Sequence, residues 1–105
     1  MPEQIHRNEV TEEGALRREL SAHDRVVIAF RTEWSDRCRQ LERELDAVSD
    51  TPVLVVDVDE APMLAYRYDV TRIPTLLRLE GEEVVARSEG LPDDLNAFLG
   101  AELVH

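Results

Sequence analysis

Lysine is absent from this chain of 105 residues: all 12 basic side chains are arginine, set against 23 acidic ones. The formal net charge is −11. Phosphate backbones need clustered positive charge, so no nucleic-acid partner is expected. Cysteine is nearly absent as well. Cys38 is the only one, and a single thiol cannot close an internal disulfide. One cysteine and histidines scattered at His6, His23 and His105 give no metal-ligand spacing. Long apolar runs are missing too. None approaches the roughly 18 residues of a membrane-spanning helix, so no membrane association is expected. The opening "MPEQIHRNEVTEEG" is polar and lacks the apolar stretch of a signal peptide. Together these absences predict a cytoplasmic protein without a metal or other cofactor.

Hydrophobic residues make up 43% of the chain, enough for one packed core. A single domain over residues 1–105 is expected, with 1–10 a loose arm or an edge strand. The acidic excess without lysine is similar to the composition of salt-adapted, halophilic proteins. In such chains carboxylate repulsion is screened by the surrounding salt.

Thr11 is the expected cap of a first helix, with Glu12 and Glu13 in its first turn and Ala15, Leu16 and Leu20 on one face. "RVVIAF" (25–30) and "VLVVDV" (53–58) are short, continuous and rich in β-branched residues. They read as central strands buried on both faces. Between them, Ser35 is a good N-cap, and Cys38, Leu41, Leu45 and Val48 recur at helical spacing. Asp50, Thr51 and Pro52 end that helix. A short helix over 61–68 follows, with Pro62 in its first turn. "TLLRL" (75–79) and "EVVAR" (83–87) flank a turn at Gly81 and read as a hairpin. Pro92 opens a last helix with Leu95, Phe98, Leu99 and Leu103 inward. The order α β α β α β β α predicts an α/β fold, a central mixed sheet with helices on both faces.

"TEWSDRCRQL" (32–41) joins the first long strand to its helix, and it holds the only Trp and the only Cys. "AFRTEWSDRC" resembles the strand of the thioredoxin family that runs into a Trp-Cys-Gly-Pro-Cys turn. "YDVTRIPTLLRLEGEEV" (68–84) resembles that family's cis-proline segment and following hairpin, and "EGL" (89–91) its groove glycine. A lone W-x-x-x-C is weak, but its pairing with "RIPTLL" in the right order is specific. The likeness runs from about Arg25 to Leu99, and the first helix fits it.

The resemblance implies a thioredoxin-like fold and a cis Ile73–Pro74 bond facing the loop Trp34–Cys38. It also implies a groove lined by Trp34, Ile73, Pro74 and Gly90 that takes an extended protein segment. The departures are as informative. Ser35 stands at the position of the family's nucleophilic cysteine, so the motif here is Ser-x-x-Cys. Asp36 and Arg37 replace the Gly and Pro between. Ala29 stands where the family keeps a buried carboxylate, and Val55 where a lysine often neighbours it. A serine needs a general base to act as nucleophile, and no histidine is suitably placed.

Two readings of Cys38 stay open. It is either a small buried hydrophobe or a helix N-terminal thiol whose thiolate the helix dipole, Arg37 and Arg39 would favour and Asp36 oppose. Two functions follow. One is a partner-binding protein whose groove holds protein segments without dithiol–disulfide catalysis. The other is a thiol-redox protein acting through Cys38 alone, or with a cysteine from its partner.

Overall fold

A computed structural model describes residues 7–46, 52–92, Leu95 and Phe98. Within these residues the chain forms β1 (Arg7–Glu9), α1 (Glu13–Ala22), β2 (Arg25–Arg31), α2 (Asp36–Asp46) and β3 (Val53–Asp57). Then come α3 (Pro62–Arg67), β4 (Thr75–Glu80) and β5 (Glu83–Glu89). The strands make one sheet in the order β1-β3-β2-β4-β5. β1, β3 and β2 run parallel, and β4 and β5 are antiparallel additions. This is the thioredoxin-like α/β architecture expected above.

Of the opening ten residues, Arg7–Glu9 form an edge strand. The capping expectation at Thr11 is corrected. α1 starts later, its N-cap is Glu12, and no side chain caps it. That helix is held by burial of Leu16 and Leu20, one turn apart, and not by a strong start signal. Residues 1–6, Val48, Asp50, Thr51, Leu99 and Leu103 lie outside the described residues.

Side chains of β2 alternate between two cores. Val26, Ile28 and Phe30 join Leu16, Leu20, Leu54, Val56, Leu64, Leu77 and Leu79 on the α1/α3 face. Val27 and Ala29 join Leu41, Leu45, Val53, Val55 and Leu76 on the α2 face. Leu91, Leu95 and Phe98 pack onto this second cluster, Leu95 and Phe98 with helical backbone. Both faces of β2 and β3 are thus covered, which is why their sequences read as unbroken apolar runs.

The β4–β5 turn is made at Gly81, whose φ of 63° favours a residue without a Cβ. Beside the turn the register slips opposite Arg78 and Leu79, which pair with Ala86 and Val84 and leave Val85 as the extra residue of a bulge. Val84 and Val85 are both left partly exposed there.

Candidate functional site

β2 and β4 pair antiparallel up to Phe30↔Thr75, and Thr75 also pairs with Glu89. The chain after Phe30, the chain before Thr75 and the chain after Glu89 therefore leave the sheet at one end. That register brings the loop 32–38, the Ile73–Pro74 segment and Gly90 together. The Ile73–Pro74 bond is cis, and Pro74 is buried while Ile73 is half-buried. Gly90, with φ 96°, donates its N–H to Pro74 O at 2.7 Å. This hydrogen bond fixes the glycine beside the proline.

The loop is held by its own side chains. The Cys38 N–H donates to Ser35 Oγ at 3.3 Å, and the Arg39 N–H donates to Ser35 O at 3.2 Å. Ser35 therefore caps α2 through both its hydroxyl and its carbonyl, satisfying a donor that the helix start leaves open. Asp36 pairs with Arg39 one turn on. Arg39 also donates to Glu33 O at 2.9 Å, tying the helix back onto the loop.

Cys38 is 0% exposed, and its Sγ accepts the Thr32 N–H at 3.4 Å. Its position in register with Leu41 and Leu45 turns it inward, so the thiol faces β2 and away from solvent. Thr32 is buried as well, and its hydroxyl finds no hydrogen-bond partner among the described residues.

Trp34, four residues from the cysteine, is 72% exposed. Its indole N–H donates to Asp59 Oδ2 at 3.1 Å. The ring is thereby tied by its polar edge to the β3–α3 turn while its apolar surface faces solvent.

Ala29 and Val55 are register partners, both buried, with Leu76 on the other side of Ala29. No titratable group flanks Ala29 in β3 or β4, and the carboxylate on this rung is the exposed Glu9 on the edge strand β1, register partner of Val55. One alternation further along the same face stands a pair that sequence reasoning missed. Arg31 and Asp57 are register partners, with Arg31 Nη1 3.6 Å from Asp57 Oδ2 and the carboxylate almost wholly buried. Arg31 Nη2 lies 3.5 Å from Glu9 Oε2, and Arg31 Nε lies 2.9 Å from Glu42 Oε2. The Nε–H is not aligned on a hydrogen-bond acceptor, so the Glu42 approach is a charge contact only. Asp57 also accepts the Asp59 N–H on Oδ1 at 2.9 Å, and its carbonyl accepts from Glu60 and Ala61. The carboxylate thus organises the turn that carries Asp59. An Asp ending an apolar strand, in register with the Arg ending its neighbour, was the available signal.

Among the described residues no cluster of His, Cys, Asp and Glu is arranged to hold a metal ion. No helix there is long and apolar enough to cross a membrane.

Residues 8–101 match the family model for thioredoxin. The thioredoxin of Chlamydia trachomatis is 38% identical over 72 residues, covering 65% of this chain and 71% of that protein. The mitochondrial thioredoxin of Bos taurus is 30% identical over 89 residues, covering 78% of this chain but only 54% of that protein. Among solved structures, a mutant thioredoxin from Halobacterium salinarum superposes with a TM-score of 0.83 at 31% identity, covering 94% of each chain. A match over nearly the whole chain, on a sheet of this order with its loops converging at one end, places the chain in the thioredoxin family.

Proposed function

We propose that this thioredoxin-family protein binds extended protein segments in the groove of Trp34, Ile73, Pro74 and Gly90 without catalysing dithiol–disulfide exchange. The observation that carries the reading is the state of the two motif positions. The Ser35 hydroxyl is committed to capping α2, and Cys38 is shielded beneath it with its sulfur on the Thr32 N–H. Reduction of a disulfide by a dithiol needs one exposed thiolate to attack and a second to release the mixed disulfide. Here the more open of the two motif positions, the half-buried Ser35, carries oxygen, and the chain has one thiol in all. Proton transfer is equally unprovided for in the buried part of the neighbouring rung, where Ala29, Val55 and Leu76 give no acid or base and the carboxylate is the exposed Glu9 on the edge strand. What remains is surface for recognition: an exposed indole and a half-buried isoleucine beside a proline and a glycine joined by a backbone hydrogen bond.

In a reductase-coupled assay, the protein is expected to give no turnover of a general disulfide substrate above background. Ser35→Cys is expected to restore only a small fraction of ordinary thioredoxin activity, because Ala29 still supplies no carboxylate. Turnover by the parent chain near that of a thioredoxin would refute the reading. Groove binding is tested separately, by backbone NMR shifts at Trp34, Ile73 and Gly90 on adding unfolded client peptides.

One observation favours single-thiol chemistry as a second reading: the Thr32 N–H already points at Cys38 Sγ and would stabilise a thiolate. Labelling with a bulky thiol reagent separates the two. Slower reaction in the native than in the denatured protein near neutral pH supports a shielded thiol. Native reaction at or above the denatured rate makes Cys38 the redox centre.

A further inference from the structure

Large apolar side chains are seldom left open without use, and here they are not scattered. Tyr66 is 82% exposed and Met63 73% exposed, three residues apart on the outer side of α3. They stand at a groove of about 560 Å³ between α3 and the start of α1. Ala61, Pro62 and Leu64 contribute its apolar lining, and Thr11, Glu12, Glu13, Glu60 and Arg67 its polar walls.

The charges of those walls are unequal. Glu13 is neutralised by Arg67 and lies 3.6 Å from Arg17. Glu12 and Glu60 are exposed and meet no cation among the described residues. The groove therefore presents an apolar surface flanked by two uncompensated carboxylates. Neighbouring Asp59 adds a third carboxylate, one that accepts the Trp34 indole N–H.

We propose that this α1–α3 groove is a second docking surface, and that its occupant is a partner protein segment carrying an aliphatic or aromatic anchor flanked by arginine or lysine. The pairing follows from chemistry at short range. Tyr and Met are the side chains best suited to such contacts, one rigid and amphipathic, the other adaptable. Glu12 and Glu60 would reject an acidic segment and accept a basic one. Two charges in contact stand about 4 Å or less apart, well inside the Debye length of about 8 Å at physiological ionic strength. A second copy of this chain is a poor occupant, because each copy carries −11. The surface does not depend on the Trp34–Pro74 groove, so either stands if the other fails.

The test uses the full ¹⁵N-labelled chain and three short synthetic peptides. One carries leucine and phenylalanine flanked by arginine, one has glutamate in place of arginine, and one has serine in place of the apolar residues. Only the first is expected to bind, with amide shifts centred on Glu12, Glu60, Met63 and Tyr66. Met63→Ala with Tyr66→Ala should weaken it about tenfold, the equivalent of ~1.4 kcal/mol. Glu12→Gln with Glu60→Gln should weaken it less and flatten its dependence on salt. All four side chains are exposed, so the variants should melt with the parent. Several results would overturn the proposal: no groove shifts at any concentration of the first peptide, binding of either other peptide as tight as that of the first, or indifference to Met63→Ala with Tyr66→Ala. A sedimentation mass that doubles with concentration through this face would do the same, by making a second copy the occupant.

Discussion

The two faces of the sheet are built from the same strands yet solve different problems. On the α1/α3 face, Phe30, Ile28 and Val26 meet leucines from both helices, and the layer carries no charge, ending at Phe30 beside the hydrogen-bonded hydroxyl of Thr75. On the α2 face, Val27 and Ala29 meet Leu41 and Leu45, and then the strand turns ionic at Arg31. A carboxylate at Ala29 would sit between Val55 and Leu76, with no cation at its own register in either adjacent strand. One alternation on, the guanidinium of Arg31 reaches carboxylates from β3, α2 and β1 together. Buried charge is tolerated where several elements supply partners, and it is absent where they supply only methyl groups.

The contrast is broken most severely on the apolar face. Phe30→Ala removes a wholly buried ring and should cost about 3–5 kcal/mol, a large part of a small domain's stability. Denaturant unfolding measures it, and a loss under about 1 kcal/mol would mean that this layer is not closely packed.

On the ionic face, Arg31→Met should cost about 3 kcal/mol, the low end for stranding one member of a buried pair. The low end applies because Asp57 keeps the Asp59 N–H. Arg31→Met combined with Asp57→Asn should recover part of the loss, since Asn can still accept that N–H without a charge. If Arg31→Met alone is nearly neutral, the pair is behaving as an exposed one.

Salt sharpens the comparison at the surface. We propose that the −11 chain is salt-adapted, and its melting point should rise between low and molar KCl as the Debye length falls from about 10 Å to about 3 Å. A gain of ~1 kcal/mol corresponds to roughly 4–8 °C for a domain of this class. A flat or falling midpoint would show that surface repulsion is not limiting.

The smallest effect is expected at the loop that joins the faces. Ser35→Ala should cost about 1 kcal/mol by removing the cap on the Cys38 N–H, while Ser35→Gly should cost only a few tenths. Equal losses for the two would mean that the hydroxyl contributes nothing to capping.

Most of the fold was legible in local patterns. The continuous runs of β2 and β3 announced strands covered on both sides, and Ser35 with Cys38, Leu41 and Leu45 announced a capped helix with its thiol inward. The start of α1 was misread at Thr11, because that helix is placed by packing of Leu16 and Leu20 and has no capping side chain. Of the site, the groove residues and the serine position were visible through the family likeness. The Arg31–Asp57 pair was not, because a charge at the end of a strand reads as a surface residue until its neighbour's register is known.

By itself, the sequence determined the order of elements, the apolar faces and the single thiol. These depend on residue type and on spacings of two to four residues along the chain, which short-range geometry alone converts into structure. Only the tertiary structure decided what Trp34 and Arg31 do. The indole finds Asp59 at a separation of 25 residues, and Arg31 finds Asp57 across the β2–β3 register. Which acidic residue meets which partner is not a property of either residue. It is set when the parallel crossover through α2 closes and brings the two strand ends side by side.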